Sequence, residues 1–134
     1  DVHARLMLYK RIASAADEEA LKDLQVEMID RFGLLPEPSK NLVRLTLLKL
    51  QAEKLGIKKV DAGPQGGRLE FASDTCVEPL TLIKLIQGQP NRYKFEGATQ
   101  FKFQVPMERP EDRFTTLEAL FERLTPPVGK DKKD

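Results

Sequence analysis

The sequence holds one cysteine, Cys76, one histidine, His3, and no tryptophan. A lone thiol cannot close an internal disulfide, and one cysteine with one histidine falls short of any Cys/His zinc set. An excess of charge of either sign is missing too, since 22 Lys plus Arg face 21 Asp plus Glu and leave a formal net charge of +1. Chains that coat nucleic acid or an anionic membrane depend on a cationic excess, so this balance argues against both roles. No apolar run approaches the roughly 20 residues that span a bilayer. No signal peptide is present, which makes the cytoplasm the expected location. The 134 residues amount to one ordinary domain, and the start on Asp1 rather than Met suggests a piece cut from something longer.

What the sequence does have is clear periodicity. Val2, Leu6, Tyr9 and Ile12/Ala13 recur at near-helical spacing in residues 2–14. Asp17 reads as an N-cap with Glu18 and Glu19 in the first turn, and Leu21, Leu24, Met28, Ile29 and Phe32 form one apolar stripe. Gly33 supplies a left-handed stop, so the second helix spans 17–32. Pro36 and Pro38 hold an extended connector, and a third helix runs from about 38 to 55 with Gly56 after it. Its apolar positions cover more than one stripe, which predicts burial on two sides.

The period then changes to two. Val60 and Ala62, then Leu69 and Phe71, alternate around Gly63-Pro64-Gln65-Gly66-Gly67, predicting a hairpin over 58–72. A short helix opens at Glu78-Pro79 and ends at Gly88. Tyr93/Phe95 and Phe101/Phe103/Val105 predict a second hairpin turning at Gly97, and a last helix covers about 111–124. The expected fold is α+β: an N-terminal three-helix segment followed by two hairpin–helix units with a small antiparallel sheet. One domain is expected over 1–124, with 125–134 as a flexible charged tail.

Catalytic chemistry finds no foothold. No serine or cysteine is tied to His3 by a motif, and Cys76 reads as a small packing residue. Gly63, Gly66 and Gly67 separate two strands and lack the lysine and helix of a phosphate loop. No acidic pattern suits a divalent ion. No catalytic, cofactor-binding or metal-binding residue is therefore assigned, and the chain is expected not to be an enzyme.

Charge placement is more informative than charge total. Between residues 17 and 30, Asp17, Glu18, Glu19, Asp23, Glu27 and Asp30 stand against the single base Lys22. Lys40, Arg44, Lys49, Lys54, Lys58 and Lys59 follow with one acid, Glu53. Two solvated faces are the plain reading of this split. Asp23, Glu27 and Asp30, however, stand at i, i+4 and i+7 on one face, where like charges repel and a cationic partner would offset the cost. Glu27 also has Arg31 one turn on.

Tyr9-Lys10-Arg11-Ile12-Ala13-Ser14 and Asp30-Arg31-Phe32-Gly33-Leu34-Leu35-Pro36-Glu37-Pro38 closely resemble the C-terminal domain of the bacterial transcription-repair coupling factor. The likeness continues through Lys54-Leu55-Gly56-Ile57, Gly66-Gly67-Arg68-Leu69-Glu70-Phe71, Tyr93 and Phe101-Lys102-Phe103, over about residues 2–124. The family is a multidomain ATP-driven DNA translocase that displaces stalled RNA polymerase and recruits excision repair, with its motor in other domains. The resemblance implies a regulatory domain that packs on the parent's N-terminal module and masks the recruitment of the damage-recognition subunit. It further implies that Glu27 and Asp30 meet arginines of that module, with Asp23 on the same face and Arg31 beside Glu27. The alternative is a nucleic-acid-binding module using Lys40, Arg44, Lys54, Lys58 and Lys59.

Overall fold

A computed structural model of the chain describes residues 2–127. From residue 128 onward the tail expected at 125–134 lies outside the described residues. The elements are α1 (Val2–Ala13), α2 (Glu18–Phe32), α3 (Glu37–Leu55), β1 (Ile57–Gly63), β2 (Gly66–Phe71), α4 (Pro79–Gly88), β3 (Tyr93–Glu96), β4 (Gln100–Gln104) and α5 (Pro110–Leu124). Three helices precede two hairpin–helix units, as the periodicity predicts. The chain divides into two compact units, Asp1–Gln51 and Ala52–Asp134, and the division falls within α3.

In the first unit each helix end has a local chemical cause. Asp17 is extended and its Oδ1 accepts the Ala20 N–H at 2.8 Å, satisfying one donor of the first turn of α2. Gly33 ends α2 at φ 81° and ψ −149°, with its N–H donated to the Ile29 carbonyl at 2.9 Å. That positive φ with extended ψ is not the left-handed helical stop expected. It is a conformation essentially confined to glycine, and it sends the chain straight into the Leu34-Leu35 connector. Ile12, Leu21, Leu24, Met28 and Val43 form the buried cluster, with Leu8, Tyr9, Leu35, Leu42, Leu47 and Leu50 packed against it.

α3 is buried on two sides, as expected. Val43 and Thr46 face one way, while Leu48, Ala52 and Leu55, half a helical turn around, are buried as well. The apolar stripes of all three helices are wider than the core that receives them. Val2 and Leu6 of α1 are exposed, and so are Ile29 and Phe32 of α2 and Leu45 of α3. The inward side of α1 is set by Ile12 with half-buried Leu8 and Tyr9, while Val2, two turns before Tyr9 on the same face, and Leu6 are exposed toward the N-terminal end of the helix.

In the second unit the strands pair antiparallel in the order β1-β2-β4-β3. Residues paired across strands share a face, so Val60, Leu69, Phe101 and Phe95 form one row and Ala62, Gly67, Phe103 and Tyr93 another. Leu69, Phe71, Phe101 and Phe103 are buried. Tyr93 stacks on Phe101 with ring centroids 5.5 Å apart, and Phe95 meets the same ring edge-on at 5.8 Å. The opposite face carries Asp61, Arg68, Lys102 and Lys94 in one row. The helices of this unit bury Leu82 and Leu85 of α4 and Leu117, Leu120, Phe121 and Leu124 of α5.

Two glycines should prove intolerant of a side chain for different reasons. Gly33→Val should cost about 1–3 kcal/mol from backbone strain alone, since no atom lies within 4 Å of an added Cβ. Gly67→Ala should cost about 1–3 kcal/mol or more from overpacking, because its Cβ would run into the backbone carbonyl of Asp61 and stand 2.7 Å from Phe103 Cζ. Chemical denaturation measures both, with Gly88→Ala as the control in open space. Unchanged stability of Gly33→Val would contradict the geometry at the end of α2.

Candidate docking surface

The buried face of α2 consists of Leu21, Leu24 and Met28. The helical period places Asp23, Val26, Glu27 and Asp30 on the other side, at the three- and four-residue separations that make helix neighbours. Asp23 and Asp30 are exposed and make no ion pair among the described residues. Val26 between them is 58% exposed, and Ile29 beside Asp30 is 47% exposed. Phe32 at 58% and Leu34 at 91% extend the exposed apolar surface past the helix end. An acid pair with apolar side chains between and beside it is a surface that a partner can both desolvate and neutralise.

Glu27 is placed differently from its two neighbours. Arg11 of α1 donates from Nη1 to Glu27 Oε2 at 2.7 Å and from Nη2 to Oε1 at 3.0 Å, a two-pronged fork between the first two helices. Arg31 Nη1 adds a longer contact of 3.5 Å to Oε2, and its guanidinium lies 5.6 Å from the centroid of the Phe32 ring. Hydrogen bonding by Arg11 is the main cause that holds the Glu27 carboxyl below the usual glutamate range. Partial desolvation opposes it, and the charges of Arg11 and Arg31 reinforce it. The same bonds raise Arg11 further above its ordinary value.

The proposed acids thus share a helix face but not an environment: Asp23 and Asp30 are open, and Glu27 is already held. Arg11 was out of reach of local spacing, because it lies 16 residues from Glu27 and meets it only when α1 packs on α2. Val26 did carry a signal. It is an apolar residue away from the buried stripe, in the middle of the acids.

The bases of the alternative reading are dispersed over different elements. Lys40 and Lys54 lie on α3 with Arg44, whereas Lys58 and Lys59 lie on β1. Lys40 approaches Glu37 at 3.8 Å and Lys58 approaches Glu70 at 3.3 Å. Cys76 is exposed rather than packed, with its Sγ 3.7 Å from the Lys54 carbonyl and 3.8 Å from that of Leu55. No group of His, Cys, Asp and Glu among the described residues is arranged to hold a metal ion. No helix among them is long and apolar enough to cross a membrane.

The TRCF domain family model matches residues 1–82. The chain belongs to the TRCF domain family. The transcription-repair-coupling factors of Escherichia coli (strain K12) and Haemophilus influenzae are each 50% identical to it over 103 residues. Those alignments take in 77% of this chain and 9% of each relative, so this TRCF domain spans about a tenth of their length. A solved structure, the crystal structure of the C-terminal domain of a transcription-repair coupling factor, superposes with a TM-score of 0.69. It covers 92% of this chain and 80% of that one at 21% identity, a likeness of fold.

The fork on Glu27 has a consequence in acid. A carboxyl held below its unfolded value stabilises the folded state above that unfolded value, and the contribution is lost as pH falls through the depressed one. The thermal midpoint of the wild-type TRCF domain should therefore exceed that of Glu27→Gln at neutral pH. The gap should close on acidification below the ordinary glutamate range, as differential scanning calorimetry across pH will measure. A gap independent of pH would mean that the carboxylate charge contributes nothing.

Proposed function

We propose that this TRCF domain is a non-catalytic docking domain of a transcription-repair coupling factor, acting as one regulatory domain over 1–124. In this reading the acidic face of α2 packs on the N-terminal module of the same parent chain. There it masks the surface that recruits the excision-repair damage-recognition subunit. The parent is an ATP-dependent DNA translocase of the cytoplasm that displaces stalled RNA polymerase, and its motor lies in other domains.

The observation that carries the reading is the state of the α2 face: Asp23 and Asp30 open, and Val26 and Ile29 exposed beside them. Open carboxylates suit arginine forks, and the apolar side chains supply the area that excludes water from those pairs on contact. Desolvation matters, because ion pairs at an exposed rim add little, whereas those enclosed on docking decide whether the correct partner is held. Nucleic acid is not a proposed ligand, since the bases of the alternative set are divided between a helix and a strand and two of them already have acids close by.

Asp23→Lys with Asp30→Lys in the 134-residue chain should weaken binding to the parent's N-terminal module by about thirtyfold or more, as calorimetric titration will read. Folding should be nearly unchanged, because both side chains are exposed. Duplex DNA titrated at two salt concentrations should bind no tighter than the roughly 10⁻⁴–10⁻⁶ M of non-specific contacts. Undiminished binding of the module by a folded double variant would show that the acids are a solvated face. Submicromolar, salt-sensitive binding of DNA would favour the alternative.

A further inference from the structure

Glu27 and its neighbours pose a problem of occupancy. Both of its oxygens are in use: Arg11 fills one with each Nη, and Arg31 stands at 3.5 Å from Oε2. One carboxylate between two guanidiniums makes a local group of net charge +1. An arginine approaching from outside meets repulsion there and finds the best in-plane positions taken. Asp23 and Asp30, on the same face, present no such obstacle.

We propose that Arg11 is an internal stand-in for an arginine of the docking partner, so that docking proceeds by exchange of one guanidinium for another on Glu27. This deepens the docking reading and rests on it. In the free domain the Arg11 fork keeps Glu27 satisfied. In the docked domain the partner's fork takes those positions and the Arg11 head group turns to solvent.

Exposure makes the exchange feasible. The side chains of Arg11 and Glu27 are 49% and 40% exposed, and the bond between two such long, solvated groups is readily broken. A guanidinium on a flexible stem needs only rotamer changes to leave, with no movement of the backbone. The exchange also reaches α1. That helix is seated by buried Ile12, by half-buried Leu8 and Tyr9, and by the Arg11 fork, while Val2, Leu6 and Met7 stay exposed. Removing the fork takes away one of the few ties of α1 to α2, so docking and the seating of α1 become linked equilibria.

The competition predicts that loss of Arg11 improves docking, the reverse of what an ordinary stabilising ion pair would do. Arg11→Gln in the 134-residue chain should tighten binding of the parent's N-terminal module about threefold at physiological salt, and more at low salt. Arg11→Lys keeps the charge but loses the fork and should tighten it less. In a Glu27→Gln background, Arg11→Gln should make no further difference, because nothing remains to compete for. Weaker or unchanged binding by Arg11→Gln, with Asp23→Lys/Asp30→Lys still damaging, would overturn the exchange and leave Glu27 as a fixed tie between helices. A gain that persists in the Glu27→Gln background would overturn it as well, since Arg11 would then act only through its general charge. If Asp23→Lys/Asp30→Lys does not weaken binding, the docking reading fails and the exchange fails with it. Should Arg11→Gln unseat α1, seen as lost helical circular dichroism, Arg11→Lys decides the matter and must still tighten docking.

Discussion

The first unit must cover three helices with one small core, and most of its character follows from that shortage. Small folded bodies have much surface for little interior, so α1 and α2 each bury a single narrow face. Ile12 from α1, Leu21, Leu24 and Met28 from α2, and Val43 from α3 take the available space. Ile29 and Phe32 belong by spacing to the same stripe as Met28, yet the core ends before it reaches them. Val26 never faced it. The exposed apolar surface of α2 is therefore a result of how little there is to bury it against, and it falls beside Asp23 and Asp30 because the helical period puts it there.

The second unit meets its own requirement differently. Its sheet has one buried face, and the rings of Tyr93, Phe95, Phe101 and Phe103 lie on that face in two adjacent rows. Gly67 has no side chain to contribute, and the Asp61 backbone carbonyl and the Phe103 ring crowd the space where a Cβ would stand. Central β2 and β4 carry the fully buried residues, while edge strand β3 leaves Phe95 39% exposed. The charged row on the other face combines Arg68, Lys102 and Lys94 at paired positions, with Glu96 3.4 Å from Arg68 and 3.8 Å from Lys102. Cations directly opposite one another repel, and a shared acid reduces that cost.

Charge works at two scales. Over the chain it nearly cancels, leaving +1. On the face of α2 shared by Asp23, Glu27 and Asp30 it separates into two open carboxylates and one carboxylate held by two arginines. The docking function proposed for the surface depends on the local arrangement, since screening in salt removes the influence of charges more than about 10 Å apart.

Much of the fold was legible without coordinates. Alternation with period two in Val60/Ala62, Leu69/Phe71 and Phe101/Phe103, set against helical spacing elsewhere, was enough to order three helices and two hairpin–helix units. Asp17, Gly33, Gly56 and Gly97 marked ends and turns because few residues suit those backbone positions; all three of these glycines have positive φ. The acids of α2 and the motifs shared with the coupling factors were equally visible, since both are properties of neighbouring residues. The pairing of Arg11 with Glu27 was not, nor was the exposure of Ile29 and Phe32. Periodicity says which residues share a face of one helix. Which part of that face is covered, and which distant charge arrives at it, depends on the packing of α1, α2 and α3, and that is decided only when the helices compete for the same small core.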